Sequence, residues 1–552
     1  MSFLAPVADQ RLTLNAVVRI SEMENGPDAE TVDAVLKGAA ALAEGEFAPL
    51  ARVGDTVGAR WDNGVVTMPP GFREAWQSFV EGGWMTLSAP EEYGGQGLPL
   101  ALSAALMDDL NAANIGFALC PMLSMGAIEA LARHGSEELR RGYLEQVVSG
   151  RWPATMNLTE AAAGSDVGAL KTRAEPAGDG SWKIRGTKIF ITFGEHDLSD
   201  QIIHLVLART PDAPQGTRGI SLFLVPKILP DGSHNDLRCV SIEHKMGIHA
   251  SPTCVMSYGD EGGATGWLVG PEMGGMAAMF TMMNNARLNV GLQGVGIAER
   301  ATQRAVAYAV ERQQGQRNRL PVAIAEHPDV RRMLLRMRSL TMAARALVYY
   351  AFGQVDRAAR GDTGAGLRAE VLTPLAKAWA TDVGIEVANI GIQVHGGMGY
   401  IEETGAAQHL RDARIASIYE GTNGIQAADL VGRKLGLDGG LAFDGLVADV
   451  AAEAQDERLI ALNDAVAVAA ASLRAGAPDD RLAGSYAFLT MCSVMVAGWL
   501  VERMALSGDA TERTRACSEY FLSTVVPEAL GLAASAESGA AMLYRVPAEE
   551  LA

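Results

Sequence analysis

One carboxylate in an apolar and glycine-containing setting is the first residue of this sequence that could do chemistry. Glu420 follows Ile418 and Tyr419, and Gly421 and Thr422 come directly after it. Burial beside two large side chains raises the pKa of a carboxyl group, because water no longer solvates its charge. A carboxyl group with a raised pKa suits general-base catalysis. A single glutamate is more often a solvated surface residue, so this pattern alone leaves both interpretations open.

Two other segments could hold a ligand. Residues 156–166 combine small residues and hydroxyls, and such a turn can present backbone N–H groups to a phosphate or a planar heterocycle. Gly396, Gly397 and Gly399 lie within four residues of each other after a helical stretch, and they do not form the GxGxxG pattern that follows a strand in dinucleotide-binding folds. An ordinary strand-to-loop junction also explains the first segment, and a helix end explains one of the three glycines.

The elements that must position these segments change in type along the chain. Leu102, Leu106 and Leu110 recur at four-residue spacing, as on one face of a helix. From about residue 155 to 270 the chain has short runs rich in β-branched and aromatic residues, which predict an antiparallel barrel or sandwich. Helical periodicity returns after Pro271. The sequence therefore predicts a mainly α fold with a central β domain.

This order predicts five parts, and a glycine-rich joint at 436–440 precedes the last of them. They are an N-terminal extension (1–35), an N-terminal helical domain (36–154), a middle β domain (155–270), a helical bundle that carries Glu420 (271–436) and an additional C-terminal helical domain (441–552).

The composition excludes several classes of protein. Of 552 residues, 48% are apolar and 20% are charged, which excludes a mainly disordered chain. A net charge of −19 makes nucleic acid and anionic membranes poor partners. The five cysteines lie far apart without a CxxC pair, so we predict neither a disulfide framework nor a metal site.

Two features bear on the compartment. The first 20 residues lack a basic start followed by an apolar block, so we expect no signal peptide and a cytoplasmic protein. The uncharged stretch 482–501 has 20 residues and reaches transmembrane length. It contains Ser, Thr, Tyr and two glycines, and Arg481 and Glu502 flank it, so we favour a buried helix and no membrane contact.

All three segments occur in the order and register of the acyl-CoA dehydrogenase family, which this sequence resembles over roughly residues 40–436. Phe3, Asp9 and the extra C-terminal block resemble a longer subgroup that includes enzymes acting on 3-methylmercaptopropionyl-CoA. The resemblance implies an N-terminal helical domain, a middle β-barrel or sandwich and a C-terminal four-helix bundle, followed here by an additional helical domain. It also implies FAD as cofactor and the oxidation of an acyl-CoA thioester to the trans-2-enoyl-CoA.

The resemblance further implies roles for individual residues. Glu420 takes the position of the base that removes the α-proton while a hydride leaves the β-carbon for flavin N5, and its backbone N–H helps to stabilise the developing enolate. The implied substrate-binding residues are Ser165, Arg287, Tyr419 and Gly421. The implied cofactor-binding residues are Met156, Leu158, Thr159, Gly164, Ser165, Phe190, Thr192, Arg312, Gln393, Gly396, Gly397 and Thr422.

The sequence departs from the family's pattern at two positions. Ala161 follows Glu160 where the family usually has proline, and we expect this change to loosen the flavin-contacting turn. Gly424 stands where several relatives have glutamine. Because glycine has no side chain, we do not expect the contact of that glutamine here.

The resemblance also implies partners. Because the family shares FAD across subunits, it implies a homodimer or homotetramer, and an electron-transferring flavoprotein as the electron acceptor. Long relatives of the same fold include stress-induced flavoproteins with a DNA-binding C-terminal block. Residues 440–552 carry seven arginines, no lysine and sixteen acidic residues, a net charge of −9 that argues against a phosphate-binding surface.

Two questions concern the reaction itself. A non-catalytic, flavin-free relative is a further alternative, against which the intact Glu420-Gly421-Thr422 argues. The identity of the acyl chain stays open.

Overall fold

The computed structural model describes residues 3–552, and its elements follow the order helical, β, helical and helical. The longest helix of the first part is interrupted at Asn114, where φ is −161° and ψ is 86°. A small antiparallel hairpin of β1 (Arg60–Asp62) and β2 (Val65–Thr67) lies between the early helices. The helices are α1 (Val7–Thr13), α2 (Ala29–Leu42), α3 (Ala51–Val57), α4 (Phe72–Glu81), α5 (Leu100–His134), α6 (Glu137–Leu139) and α7 (Glu145–Val148).

Eight strands form one sheet in the middle of the chain. Its order is β3-β6-β7-β10-β5-β9-β8, and β4 pairs with β5. The strands are β3 (Ala154–Asn157), β4 (Arg173–Pro176), β5 (Trp182–Thr192), β6 (Ile203–Ala208), β7 (Ser221–Pro226), β8 (Leu237–Ile242), β9 (Thr253–Tyr258) and β10 (Ala264–Val269).

The sheet departs from the expected antiparallel pattern at one pair. β3 and β6 are parallel, whereas the other pairings are antiparallel. A parallel pair needs a long crossover between its strands, and β4 and β5 occupy that crossover. The runs at 182–184 and 188–192 are parts of one continuous strand, β5.

A helical bundle follows the sheet, and two of its helices approach very closely. A Cβ atom on Gly294 of the first long helix would lie 2.0 Å from the carbonyl oxygen of Ala380 on the third, so only glycine fits at this crossing. The elements are α8 (Gly275–Glu311), β11 (Gln313–Arg317), β12 (Leu320–Ala323), α9 (Pro328–Ala359), α10 (Thr363–His395), α11 (Ala406–Ala413) and α12 (Asn423–Gly432).

The last helical block packs against this bundle through its longest helix, which contacts α12, α9 and α10. That helix and α5 are long and apolar enough to cross a membrane, but 83% and 89% of their most apolar windows are buried inside the protein. Both are therefore core helices, and residues 482–501 lie within one of them. The block contains α13 (Leu441–Glu453), α14 (Glu457–Ala475), α15 (Pro478–Leu506), α16 (Glu512–Tyr520), α17 (Val526–Leu530) and α18 (Ala533–Ala536).

Candidate active site

Three segments that are far apart in sequence meet at one cleft of about 140 Å³. The β sheet contributes the end of β3, the turn that follows it and the end of β5. The loop before α12 contributes Glu420 and Gly421 from the opposite side. The lining residues are Leu123, Met156, Leu158, Thr159, Gly164, Val167, Phe190, Ile191, Thr192, Met283, Glu420 and Gly421.

The backbone at Glu420 adopts an unusual conformation that helices on two sides fix. Its φ is +55°, in the left-handed region that is uncommon for residues with side chains. Its carbonyl oxygen accepts hydrogen bonds from Arg287 Nε of α8 at 3.3 Å and from Gln426 Nε2 of α12 at 3.4 Å. These bonds hold the loop while the Glu420 side chain lines the cleft.

Burial and the two neighbouring positive charges act in opposite directions on the protonation of Glu420. Burial raises the pKa of Glu420, and the positive charges of Arg287 and Lys377 partly oppose that rise. The Lys377 side chain is fully buried, and burial lowers the pKa of its ammonium group to about 7 although Glu420 and Asp382 favour the charged form. The neighbouring Tyr419 hydroxyl bonds to Gln293 of α8.

A buried ion pair fixes the turn after β3. Glu160 accepts hydrogen bonds from the backbone N–H groups of Lys171 at 2.6 Å and Thr172 at 3.0 Å, and from Lys188 Nζ at 2.8 Å. Burial tends to raise the pKa of Glu160, but the Lys188 charge and these hydrogen bonds outweigh it, so that the pKa lies below its usual value. The expectation that Ala161 loosens this turn stays a prediction, and the Glu160 side chain supplies contacts that hold the turn.

Four of the expected cofactor positions lie away from this cleft. Arg312 caps the end of α8, and Gln393, Gly396 and Gly397 lie at the end of α10. The rings of Tyr308 and His395 stack at 4.4 Å, which brings the ends of α8 and α10 side by side. All four positions are exposed, so they form a second, surface-facing group.

The remaining expected residues lie around the loop and the turn. Ser165 is exposed beside Gly164. The Thr422 side chain accepts a hydrogen bond from the backbone N–H of Ile425 at 3.1 Å and so caps α12. Arg287 and Tyr419 contact the loop or α8 without lining the cleft.

Comparisons with known proteins agree along the whole length of the chain. The N-terminal, middle and C-terminal domain families of acyl-CoA dehydrogenases match residues 29–151, 155–260 and 273–435, and a family described as acetyl-CoA dehydrogenase C-terminal like matches 442–547. The 3-methylmercaptopropionyl-CoA dehydrogenase of Ruegeria pomeroyi is 46% identical in an alignment of 547 positions that covers 92% of this chain and 92% of its own. The chain belongs to the acyl-CoA dehydrogenase family. The predicted family, fold class and enzyme class are thus confirmed.

One further relative and one solved structure are also similar to this acyl-CoA dehydrogenase. A butyryl-CoA dehydrogenase of Syntrophomonas wolfei is 35% identical over 80% of this chain and 76% of its own. A solved acyl-CoA dehydrogenase from Bacillus anthracis, described as complexed with FAD, covers 100% of this chain and 94% of its own with a TM-score of 0.77 at 21% identity. The latter shows that the fold, including the extra helical block, has a structural precedent.

The acyl-CoA dehydrogenase also has a polar network, buried at Lys377 and Asn423 and exposed at Tyr486, that the sequence did not predict. Lys377 Nζ donates to Asn423 Oδ1 at 2.8 Å, and Asn423 Nδ2 donates to Asp382 Oδ1 at 2.9 Å. The Tyr486 hydroxyl of α15 donates to Asp382 Oδ2 at 2.6 Å. The network joins the extra helical block to the residue three positions after Glu420.

The sequence carried a partial signal for these residues. Lys377 stands between alanines on an otherwise apolar stretch of α10, and Lys188 follows Ile184 on the inward face of β5. A lysine at a core position is rare unless it is paired. Tyr486 gave no such signal, because its partner lies 104 residues away.

Proposed function

We propose that Glu420 is the general base of an FAD-dependent acyl-CoA dehydrogenase and removes the α-proton of the bound thioester. When bound, FAD supplies the chemistry that accepts the hydride from the β-carbon. The observation that carries the proposal is the single cleft that joins Glu420 to the 156–164 segment and to Phe190 and Thr192. General-base chemistry requires a carboxylate within reach of the proton that it removes, and the position of Glu420 in the lining of the cleft supports that role.

The described residues fit a flat heterocycle in the cleft. Phe190 lines the cleft and has a φ of +58°. Its relative exposure is 57%, so that a large apolar ring is accessible to a ligand. The Thr422 hydroxyl accepts one hydrogen bond and donates none within residues 3–552, so its hydrogen can bind a ligand. We assign the flavin half of FAD to Met156, Leu158, Thr159, Gly164, Ser165, Phe190, Thr192 and Thr422.

The Glu420 loop itself supports the developing negative charge of the substrate. The Glu420 backbone N–H has no hydrogen-bond acceptor within residues 3–552, so it can donate to the thioester oxygen. Gly421 has a φ of +85°, and a Cβ atom there would lie 2.6 Å from Gln426 Nε2. We assign substrate contact to this loop, with Ser165 at the mouth of the cleft, and we propose that Arg287 and Tyr419 support it from α8.

The second, exposed group at the ends of α8 and α10 supports shared cofactor binding. Arg312, Gln393, Gly396 and Gly397 are too exposed to form a closed site alone, and we propose that they bind the adenosine diphosphate half of FAD from a neighbouring copy. A homodimer or homotetramer follows from this assignment. We further propose an electron-transferring flavoprotein as electron acceptor and a cytoplasmic location. We also propose the five-part division of the chain into 1–35, 36–154, 155–270, 271–436 and 441–552.

The substrate that we propose is 3-methylmercaptopropionyl-CoA. Its support is the 46% identity over 92% of both chains to the Ruegeria pomeroyi enzyme of that name. A short straight-chain acyl-CoA is the second candidate, because a butyryl-CoA dehydrogenase is 35% identical.

A panel of thioesters with a dye acceptor tests this substrate assignment. We expect kcat/KM for 3-methylmercaptopropionyl-CoA to exceed that for butyryl-CoA and octanoyl-CoA by about tenfold or more, the discrimination that about 1.4 kcal/mol of differential binding gives. An equal or higher value for butyryl-CoA would favour the second candidate, and no turnover with any thioester would contradict the function itself.

Replacing Lys377 with methionine should move the pH dependence of the reaction. The positive charge of Lys377 favours the carboxylate form of Glu420, so its loss raises the pKa of Glu420 further. Because the base acts as a carboxylate, we expect the acid limb of the kcat/KM profile to shift upward by about one pH unit. The exposed Lys37 on α2, replaced in the same way, provides the control. An unshifted limb in Lys377→Met would show that this lysine does not influence the base.

Replacing Tyr486 with phenylalanine tests whether the extra helical block supports the catalytic loop. The change removes the hydrogen bond to Asp382, the carboxylate that also accepts from Asn423 Nδ2. We expect kcat to fall about three- to tenfold with little change in KM, in line with the loss of about 1 kcal/mol from one hydrogen bond. Tyr520→Phe, in the same block, should leave kcat unchanged, and equal effects of the two substitutions would contradict a specific role for Tyr486.

A further inference from the structure

A second cavity is lined by three arginines, of which two lack counter-ions within residues 3–552. It measures about 260 Å³ and lies between α3, the interruption of α5, α8 and α11, and we call it the Arg300 cavity. Arg52, Arg300, Arg304, Asn111 and His409 line it, together with Asp412 and Glu403.

Two of these arginines have no partner in the described chain. Arg300 contacts the ring of Phe3 at 5.5 Å, and neither Arg300 nor Arg304 forms an ion pair or a hydrogen bond within residues 3–552. Burial and the charge of Arg304 lower the pKa of Arg300 to about 10. Two partly buried guanidinium groups that repel each other and lack acceptors are costly unless an anion completes the site.

The nearby charged side chains do not neutralise Arg300 and Arg304. Asp412 accepts hydrogen bonds from the Ile248 backbone N–H at 2.5 Å and from Gln408 Nε2 at 3.3 Å. Arg52 is already paired with Asp55 at 2.9 Å. Glu403 is exposed at the rim, and it makes no ion pair with Arg300 or Arg304. The cavity therefore keeps a surplus of positive charge.

Two polar atoms of the lining also lack partners. Among the described residues 3–552, neither Oδ1 of Asn111, which is 1% exposed, nor Nε2 of His409 has a hydrogen-bond partner. Burial and the charges of Arg300 and Arg304 lower the pKa of His409 to about 3, so its ring is neutral. Donors from two guanidinium groups, one free acceptor and one imidazole nitrogen match the surface of a hydrogen phosphate ion, which accepts several hydrogen bonds and donates one.

We propose that the Arg300 cavity binds a phosphate-sized oxyanion, held by Arg300 and Arg304 with Arg52 at its edge. The anion comes either from free inorganic phosphate or from a nucleotide phosphomonoester. Its position joins the N-terminal helices to the bundle, because Asn114 at the interruption of α5 also lines the cavity. The half of α5 that follows carries Leu123, which lines the Glu420 cleft.

Equilibrium dialysis of the FAD-loaded enzyme against radiolabelled phosphate at constant ionic strength tests the site without any turnover. We expect saturable binding of one phosphate per chain, weakened at least tenfold in Arg304→Gln and unchanged in Arg331→Gln, which removes an exposed arginine of α9. Absence of saturable binding, or equal binding by Arg304→Gln and the wild type, would overturn the proposal. If a carboxylate of a partner subunit fills the cavity, no saturable phosphate binding will be seen, and the proposal is overturned.

Two further measurements identify the source of the anion and test whether Arg304 has a structural role. Competition by adenosine 5′-monophosphate would assign a phosphomonoester, and its absence would assign free phosphate; both support an oxyanion site. In phosphate-free buffer, Arg304→Gln should unfold at the same temperature as the wild type or higher, because the repulsion of Arg300 is relieved. A lower unfolding temperature would mean that Arg304 has a structural role, and this would contradict the proposed site.

Discussion

Replacing Glu420 with glutamine should abolish acyl-CoA oxidation while FAD remains bound and the protein remains folded. Glutamine has nearly the same size and keeps the backbone contacts of the loop, but it cannot accept the α-proton. We expect kcat in a dye-coupled assay to fall about 10³-fold or more, within the range of about 10²- to 10⁴-fold for the loss of a general base. The bonds from Arg287 and Gln426 go to the Glu420 carbonyl oxygen and are therefore unaffected.

Controls separate loss of the base from loss of the fold. Flavin content and unfolding temperature of Glu420→Gln should equal those of the wild type. Glu457→Gln, which changes an exposed glutamate of α14, should keep full activity. Wild-type turnover by Glu420→Gln would contradict the assignment of the base.

Replacing Glu160 with glutamine should destabilise the turn after β3 severely. The change leaves the fully buried Lys188 ammonium without its carboxylate partner. Removing one member of a buried ion pair costs about 3–5 kcal/mol, because an uncompensated charge stays in a dry environment. We expect a lower unfolding temperature and weaker FAD binding, since the turn lines the cleft through Leu158, Thr159 and Gly164.

The double variant Glu160→Gln with Lys188→Met tests the physical reason. It removes both charges and should recover much of the lost stability, because no unpaired charge remains. Glu175→Gln, on the exposed face of β4, should behave like the wild type. If the double variant is as unstable as the single one, packing or hydrogen bonding rather than charge explains the effect.

The sequence predicts the parts of this molecule that local pattern determines. The helix of Leu102, Leu106 and Leu110, the strands of the middle domain and the Glu420 motif all depend on residues close together in the chain. The position of Glu420 beside the turn after β3 could not be derived from spacing alone, because more than 250 residues separate them. The family resemblance supplied that juxtaposition, which the cleft reproduces.

The contacts that the sequence does not predict are long-range and polar. The parallel pairing of β3 with β6, the Glu160–Lys188 ion pair and the Tyr486–Asp382 hydrogen bond each depend on how whole elements pack. Local propensity contains no information about such partners. A buried lysine on an apolar face signals that a partner exists without identifying it.

Anaerobic titration of the purified enzyme with 3-methylmercaptopropionyl-CoA and butyryl-CoA tests the central claim most directly. We predict that the protein is yellow, that at least one thioester bleaches the visible flavin band of the wild type with formation of the 2-enoyl-CoA, and that Glu420→Gln keeps its colour under the same conditions. A wild-type protein that cannot be loaded with FAD, or a flavin that none of the thioesters bleaches, would contradict the account.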